Sequence, residues 1–212
     1  MRFLFLASVM LLPLSVLPAT IKIACIGDSI TYGQRIADRE ENCYPAKLQQ
    51  LLGIGYEVKN FGVIGTTAQE GHWKSYNRTK SFKDSLAYEP DIVLLMLGTN
   101  DTKDRYWKGE STYRKDIQHI IDSYKALPNA PEVILLTPPK AFSSSFHIHD
   151  ASILKEREIL TTLPYAVIDI YAIMEKDRSF ISADGIHPNG KGAEYIAKAI
   201  FKYLCREAKP EA

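Results

Sequence analysis

The chain has 212 residues, 46% of them hydrophobic and 24% charged, an ordinary globular make-up that suits one packed domain and excludes a disordered chain. Its 26 Lys and Arg stand against 25 Asp and Glu. So even a balance gives no electrostatic footing for nucleic acid or an anionic membrane surface, and fits a small neutral or locally charged substrate better.

At the amino terminus, Arg2 precedes an apolar run from Phe3 to Leu12, and Ala19 supplies a small residue at its end. A charged start, a short apolar core and a small-residue close predict a signal peptide over residues 1–19, a secreted or periplasmic protein, and a single domain over 20–212. Pro13 and Pro18 interrupt a run already too short for stable membrane insertion. The mature part then alternates β-rich and helical patterns. Ile21 to Ile26 reads as a buried strand. Pro45 to Leu52 reads as a helix, with Pro in its first turn, Leu48, Leu51 and Leu52 on one face, and Gly53 as its stop. Tyr56 to Phe61 is a second strand. Asp91 to Leu97 is a third, apolar on both faces as a central parallel strand should be. A helical stripe over Thr112 to Leu127, a strand over Glu132 to Leu136, a helix over Ile153 to Thr161 and a strand over Ala166 to Ile170 follow. The last helix, from about Lys191 to Cys205, has a clean apolar face in Ala193, Ile196, Ala197, Ile200 and Leu204. Strands separated by helix-length segments predict right-handed βαβ units and a parallel sheet covered on both faces, an α/β/α domain.

In such a domain, chemistry belongs to the loops leaving the carboxyl ends of the strands. Four loops there carry reactive types: Gly27-Asp28-Ser29-Ile30-Thr31 after the first strand, Asn60 to Gly65 after the second, Gly98-Thr99-Asn100-Asp101 after the third, and Asp184-Gly185-Ile186-His187 before the last helix. A serine hydroxyl needs a base to take its proton and donors aimed at the oxyanion that forms. Ser29 at a strand-to-helix turn is the candidate nucleophile, His187 the base, and Asp184, three residues before it, the group that orients the imidazole. The Ser29 N–H, the Gly65 N–H and the uncharged Asn100 amide are candidate oxyanion donors. Taken singly, each block also reads as a common turn or cap; their concurrence in chain order makes a site.

These four blocks resemble the SGNH family, also called the GDSL lipase/esterase family, over essentially the whole mature chain. The resemblance implies a three-layer, flavodoxin-like fold with a five-stranded parallel sheet of order 2-1-3-4-5. It implies the same roles for Ser29, Asp184, His187, Gly65 and Asn100, an acyl-enzyme mechanism, and neither cofactor nor metal. Asp38-Arg39-Glu40 and Tyr44-Pro45, followed by Asn60-Phe61-Gly62, look like the secreted bacterial subgroup that includes carbohydrate acetylesterases and sialate O-acetylesterases. A short acyl group on a sugar, such as sialic acid or a plant polysaccharide, is therefore the expected small-molecule or oligosaccharide ester. A lysophospholipase or thioesterase of the same family, and a catalytically silent carbohydrate-binding module on the same scaffold, are the alternatives.

Further features bear on this expectation. His72, Trp73 and Tyr76 after Gly65, and Lys103, Arg105, Tyr106 and Trp107 after Asn100, can stack on and hydrogen-bond a sugar, or simply pack their loops. Cys25, Cys43 and Cys205 make an odd count in which a Cys43–Cys205 bridge is conceivable after export, with no spacing for zinc. His147-Ile148-His149-Asp150 has too few ligands for a closed metal site. Asn77-Arg78-Thr79 and Asn100-Asp101-Thr102 match glycosylation sequons, and a donor role for Asn100 predicts no sugar on the second.

Overall fold

The protein is described by a computed structural model over residues 19–207; the expected leader, Ala19 apart, lies outside the described residues. Strand β1 (Ile21–Gly27) pairs in parallel with β2 (Tyr56–Asn60) on one side and β3 (Ile92–Met96) on the other, and the sheet continues through β4 (Glu132–Leu136) to β5 (Ala166–Ile168). The order is 2-1-3-4-5, as expected. Alternation within each central strand feeds two cores. Ile23, Cys25, Leu94, Met96, Ile134 and Leu136 face one layer of helices. Ala24, Ile26, Val93, Leu95, Val133 and Leu135 face the other. Both faces are thus dry, which is why these strands read as continuous apolar runs.

The first layer holds α3 (Tyr44–Leu52) and α8 (Gly190–Glu207), which bury Leu48 against Ile196, Ala197 and Ile200. The second holds α4 (Lys80–Ala87), α5 (Glu110–Lys125) and α6 (Asp150–Thr161). Short helices α1 (Ser29–Tyr32), α2 (Arg39–Asn42) and α7 (Ile170–Met174) complete the set among the described residues. The order in which the chain adds strands changes sense between β1 and β3, the point of such a sheet where a crevice for ligands is expected.

Two expectations need revision, and one open question is answered. The fifth strand stops at Ile168, because the Asp169 side chain accepts a hydrogen bond from Ala172 N at 3.2 Å and starts α7. Helix α4 falls where no element was expected; Thr79 caps it through Phe82 N at 3.0 Å. The pairing of Cys43 with Cys205, left open by the sequence, is not seen among the described residues: both are free thiols, Cys43 buried and Cys205 exposed.

Candidate active site

The four loops converge at the carboxyl end of the sheet. Asp28 caps α1 by accepting from Ile30 N at 2.8 Å, which places Ser29 as the first helical residue, its N–H without an intrahelical acceptor. The Ser29 Oγ lies 2.9 Å from His187 Nε2. Across the ring, His187 Nδ1 lies 2.8 Å from Asp184 Oδ2. Serine and histidine are each only 5% exposed, so the relay is shielded from bulk water.

Asp184 and His187 belong to one tight turn. Asp184 Oδ1 accepts from Ile186 N at 2.9 Å, His187 N at 3.0 Å and the Ser182 hydroxyl at 2.9 Å, and Oδ2 also meets Arg35 Nε at 2.7 Å. Burial by itself would raise this carboxyl. The Ile186 amide, the imidazole, the His187 amide and the Ser182 hydroxyl together hold it well below the usual carboxylate range. Asp184 is thus held as the carboxylate that can stabilise an imidazolium beside it.

The opposite wall is built by the second and third loops. Val63 N donates to Gly27 O at 3.0 Å, and Asn60 Nδ2 donates to Thr31 O at 2.8 Å, drawing this loop hard against α1. At Gly62 a methyl group would stand 2.2 Å from Tyr32 N and 2.8 Å from Tyr32 Cα, so only glycine permits the approach. Gly65 adopts a left-handed φ of 78° and lines the cavity, and its N–H has no hydrogen-bond partner among the described residues. Asn100, 5% exposed, donates through Nδ2 to Thr66 O at 3.1 Å and to Asp28 Oδ2 at 3.3 Å, so its amide is oriented before any substrate arrives. Asp101 ties the third loop to the second by accepting from Ala68 N at 3.0 Å and Gln69 N at 2.6 Å. Burial pushes Asp28 up to about 6 and Asp101 up to about 8, each restrained by the backbone amides that it accepts from.

Ser29, Gly65, Asn100 and His187 all line one cavity of about 140 Å³, together with Gln34, Ile64 and Phe146. All five residues singled out for the site come together, with Asp184 behind the imidazole. Several neighbours were not foreseen. Arg35 and Phe146, whose ring meets that of His187 edge-on at 5.9 Å, carry no motif and are recognised only by their contacts, while Asp28 lies within the serine block but its contact with Asn100 was not foreseen. Conversely, the aromatic residues of the loops are not in the cavity wall. Tyr76 is wholly buried in the second core, Tyr106 is stacked on His72 at 4.3 Å, and Trp73 is 73% exposed. His149 Nε2 lies 3.2 Å from Asp104 Oδ1, and among the described residues no three His, Cys, Asp or Glu side chains gather as metal ligands would.

A serine with a base on it, a carboxylate behind the base and spare N–H donors opposite can carry acyl transfer. A family model described as GDSL-like lipase/acylhydrolase matches residues 25–195. The chain is 38% identical to an acetylxylan esterase of Xylanibacter ruminicola over 85% of its own length and 42% of that protein's, so it spans less than half of that relative. Among solved structures, a lipase/acylhydrolase from Enterococcus faecalis superposes with a TM-score of 0.69 at 25% identity, over 91% of this chain and all of the other. A carbohydrate acetylesterase from Sinorhizobium meliloti superposes with a TM-score of 0.69 at 19% identity, over 89% of this chain and all of the other, a likeness of fold.

Proposed function

The chain belongs to the GDSL-like lipase/acylhydrolase family, and within it we propose a serine ester hydrolase that removes short acyl groups, acetyl foremost, from carbohydrate. The observation that carries this reading is the unbroken relay from Ser29 Oγ through His187 to Asp184, at 2.9 and 2.8 Å, set in a cavity of about 140 Å³. His187 takes the serine proton as Ser29 attacks the ester carbonyl. The oxyanion accepts from the Ser29 and Gly65 N–H groups and, in exchange for its 3.3 Å contact with Asp28 Oδ2, from the Asn100 amide, and Asp184 steadies the imidazolium. His187 then protonates the leaving sugar hydroxyl, and water, activated by the same imidazole, releases the acyl group.

The small cavity favours a short acyl group over the long chain of a lysophospholipid, since sites for larger ligands run from roughly 300 Å³ upward. The acetylxylan esterase relative supports a sugar as the alcohol, either a plant polysaccharide or a sialic acid. Export through the pattern of Arg2, Phe3 to Leu12 and Ala19 would place the enzyme beside such polymers. The test is to assay acetate release from acetylated xylo-oligosaccharides alongside hydrolysis of a palmitoyl ester, with an organophosphonate to label the nucleophile. Acetate release, little palmitate, and a mass adduct confined to Ser29 are expected. Preference for the palmitoyl ester, or an adduct elsewhere, would overturn the proposal.

A further inference from the structure

Lys103 follows the Asn100 block and forms part of the wall of the proposed catalytic cavity. Its ammonium is about half buried, yet it donates no hydrogen bond and makes no ion pair among the described residues. A half-desolvated cation without a partner is costly and is ordinarily compensated by a carboxylate. Burial first, then Arg105, depress its pKa, the buried Asp28 pulls the other way, and Lys74 adds to the depression. Asp104, next in sequence, is turned toward His149 at 3.2 Å.

A second cavity, of about 230 Å³, is lined by Lys103, Asp104, Arg105 and His147. The two cavities share Lys103 and adjoin along the chain, since Phe146 lines the first and His147 the second. A substrate with its acyl group at Ser29 can therefore extend its alcohol part over Lys103 into a space with a positive wall.

We propose that this second cavity is a subsite for a carboxylate on the sugar, with Lys103 and Arg105 as its recognition groups, so that the preferred substrate is an acylated sugar acid. The proposal rests on the reading of the first cavity as an ester-hydrolase site. A monoanionic carboxylate suits the subsite better than a dianionic phosphate, because the Asp104 carboxylate stands in the same wall. Two kinds of sugar acid share this chemistry, a uronic acid unit of a polysaccharide and a sialic acid.

The experiment measures kcat and KM on an acetylated galacturonide, on its methyl ester, in which the carboxylate is neutralised and the shape kept, and on an O-acetylated sialic acid. Alongside them, inhibition of 4-nitrophenyl acetate hydrolysis by free galacturonate, sialic acid and xylose is measured. In the wild type, kcat/KM for the free acid of the uronide or for the sialic acid should exceed that for the methyl ester at least tenfold, the scale of one charge-assisted hydrogen bond. The arm that responds names the source. The Lys103→Met variant should bring the acid-to-ester ratio near one, mainly through KM, and Lys103→Arg should restore it. A ratio unchanged in Lys103→Met, or equal inhibition by sugar acids and xylose, would overturn the subsite while leaving the esterase reading intact. Failure to hydrolyse 4-nitrophenyl acetate would overturn the esterase reading itself.

Discussion

Glu156 lies beneath the site, on α6, with no exposure, and neither carboxyl oxygen has a hydrogen-bond partner among the described residues. Its Oε2 rests against Gly98, where a Cβ would come within 2.5 Å of it. Burial, reinforced by the charges of Asp101 and Asp28, drives its pKa well above the ordinary glutamate value of 4.5. Above pH 4.5 the unfolded chain releases this proton while the folded chain keeps it, so stability falls as pH rises until the folded pKa is passed. Each pH unit inside that window costs at most about 1.4 kcal/mol. Glu156→Gln keeps the shape and removes the titration. Urea unfolding at pH 4.5, 6 and 7 should show the variant close to wild type at the lowest pH and progressively more stable than wild type as the pH rises. Taking the difference at each pH separates Glu156 from Asp28 and Asp101, which are present in both proteins. A gap that does not change with pH, or a variant less stable at pH 7, would refute the claim that this carboxyl is held neutral.

The remaining expectations concern the loops. Ser29→Ala and His187→Ala should each abolish ester hydrolysis while circular dichroism and the melting transition stay those of a folded protein; retained turnover in either would remove it from the relay. Asn100→Ala should lower kcat roughly 10²–10³-fold, as removal of one oxyanion donor does. It should also cost about 1–3 kcal/mol of stability, because buried acceptors at Thr66 and Asp28 lose their donor; an unchanged kcat would take the amide out of the oxyanion hole. Gly62→Ala forces a methyl into the backbone of Tyr32 and should cost about 1–3 kcal/mol as overpacking does, with kcat falling as Gly65 is displaced. A melting temperature and kcat equal to wild type would show that the loop can yield.

How much was legible beforehand follows from what each feature depends on. The core strands were readable because a parallel strand buried on both faces leaves an unbroken run such as Ile92–Met96. The four reactive blocks were readable because turn chemistry, not distant packing, keeps them short and local. Helix α4 escaped notice because its cap, Thr79, sits in a loop rich in polar residues, and its buried face amounts to Phe82 and Ser85. Arg35 was invisible for a different reason. Its tie to Asp184 joins residues 149 apart in the chain, and no spacing rule spans such a gap. The loop aromatics left two readings open, a sugar platform or the packing of their loops; Tyr76 follows the second, committed to the core, and the cavity takes its ring from Phe146.

The separation of 158 residues between Ser29 and His187 has a consequence for the order in which the protein comes to life. The serine, its cap and both donor loops belong to the first half of the polypeptide and emerge early in synthesis. The acid and base arrive together on one turn that is the threshold of α8, the last helix of the described chain. Until α8 settles beside α3, the serine has no base, however well the rest has folded. Under the proposed chemistry, the onset of ester hydrolysis during refolding is expected to report the arrival of the Asp184–His187 turn, late in the chain.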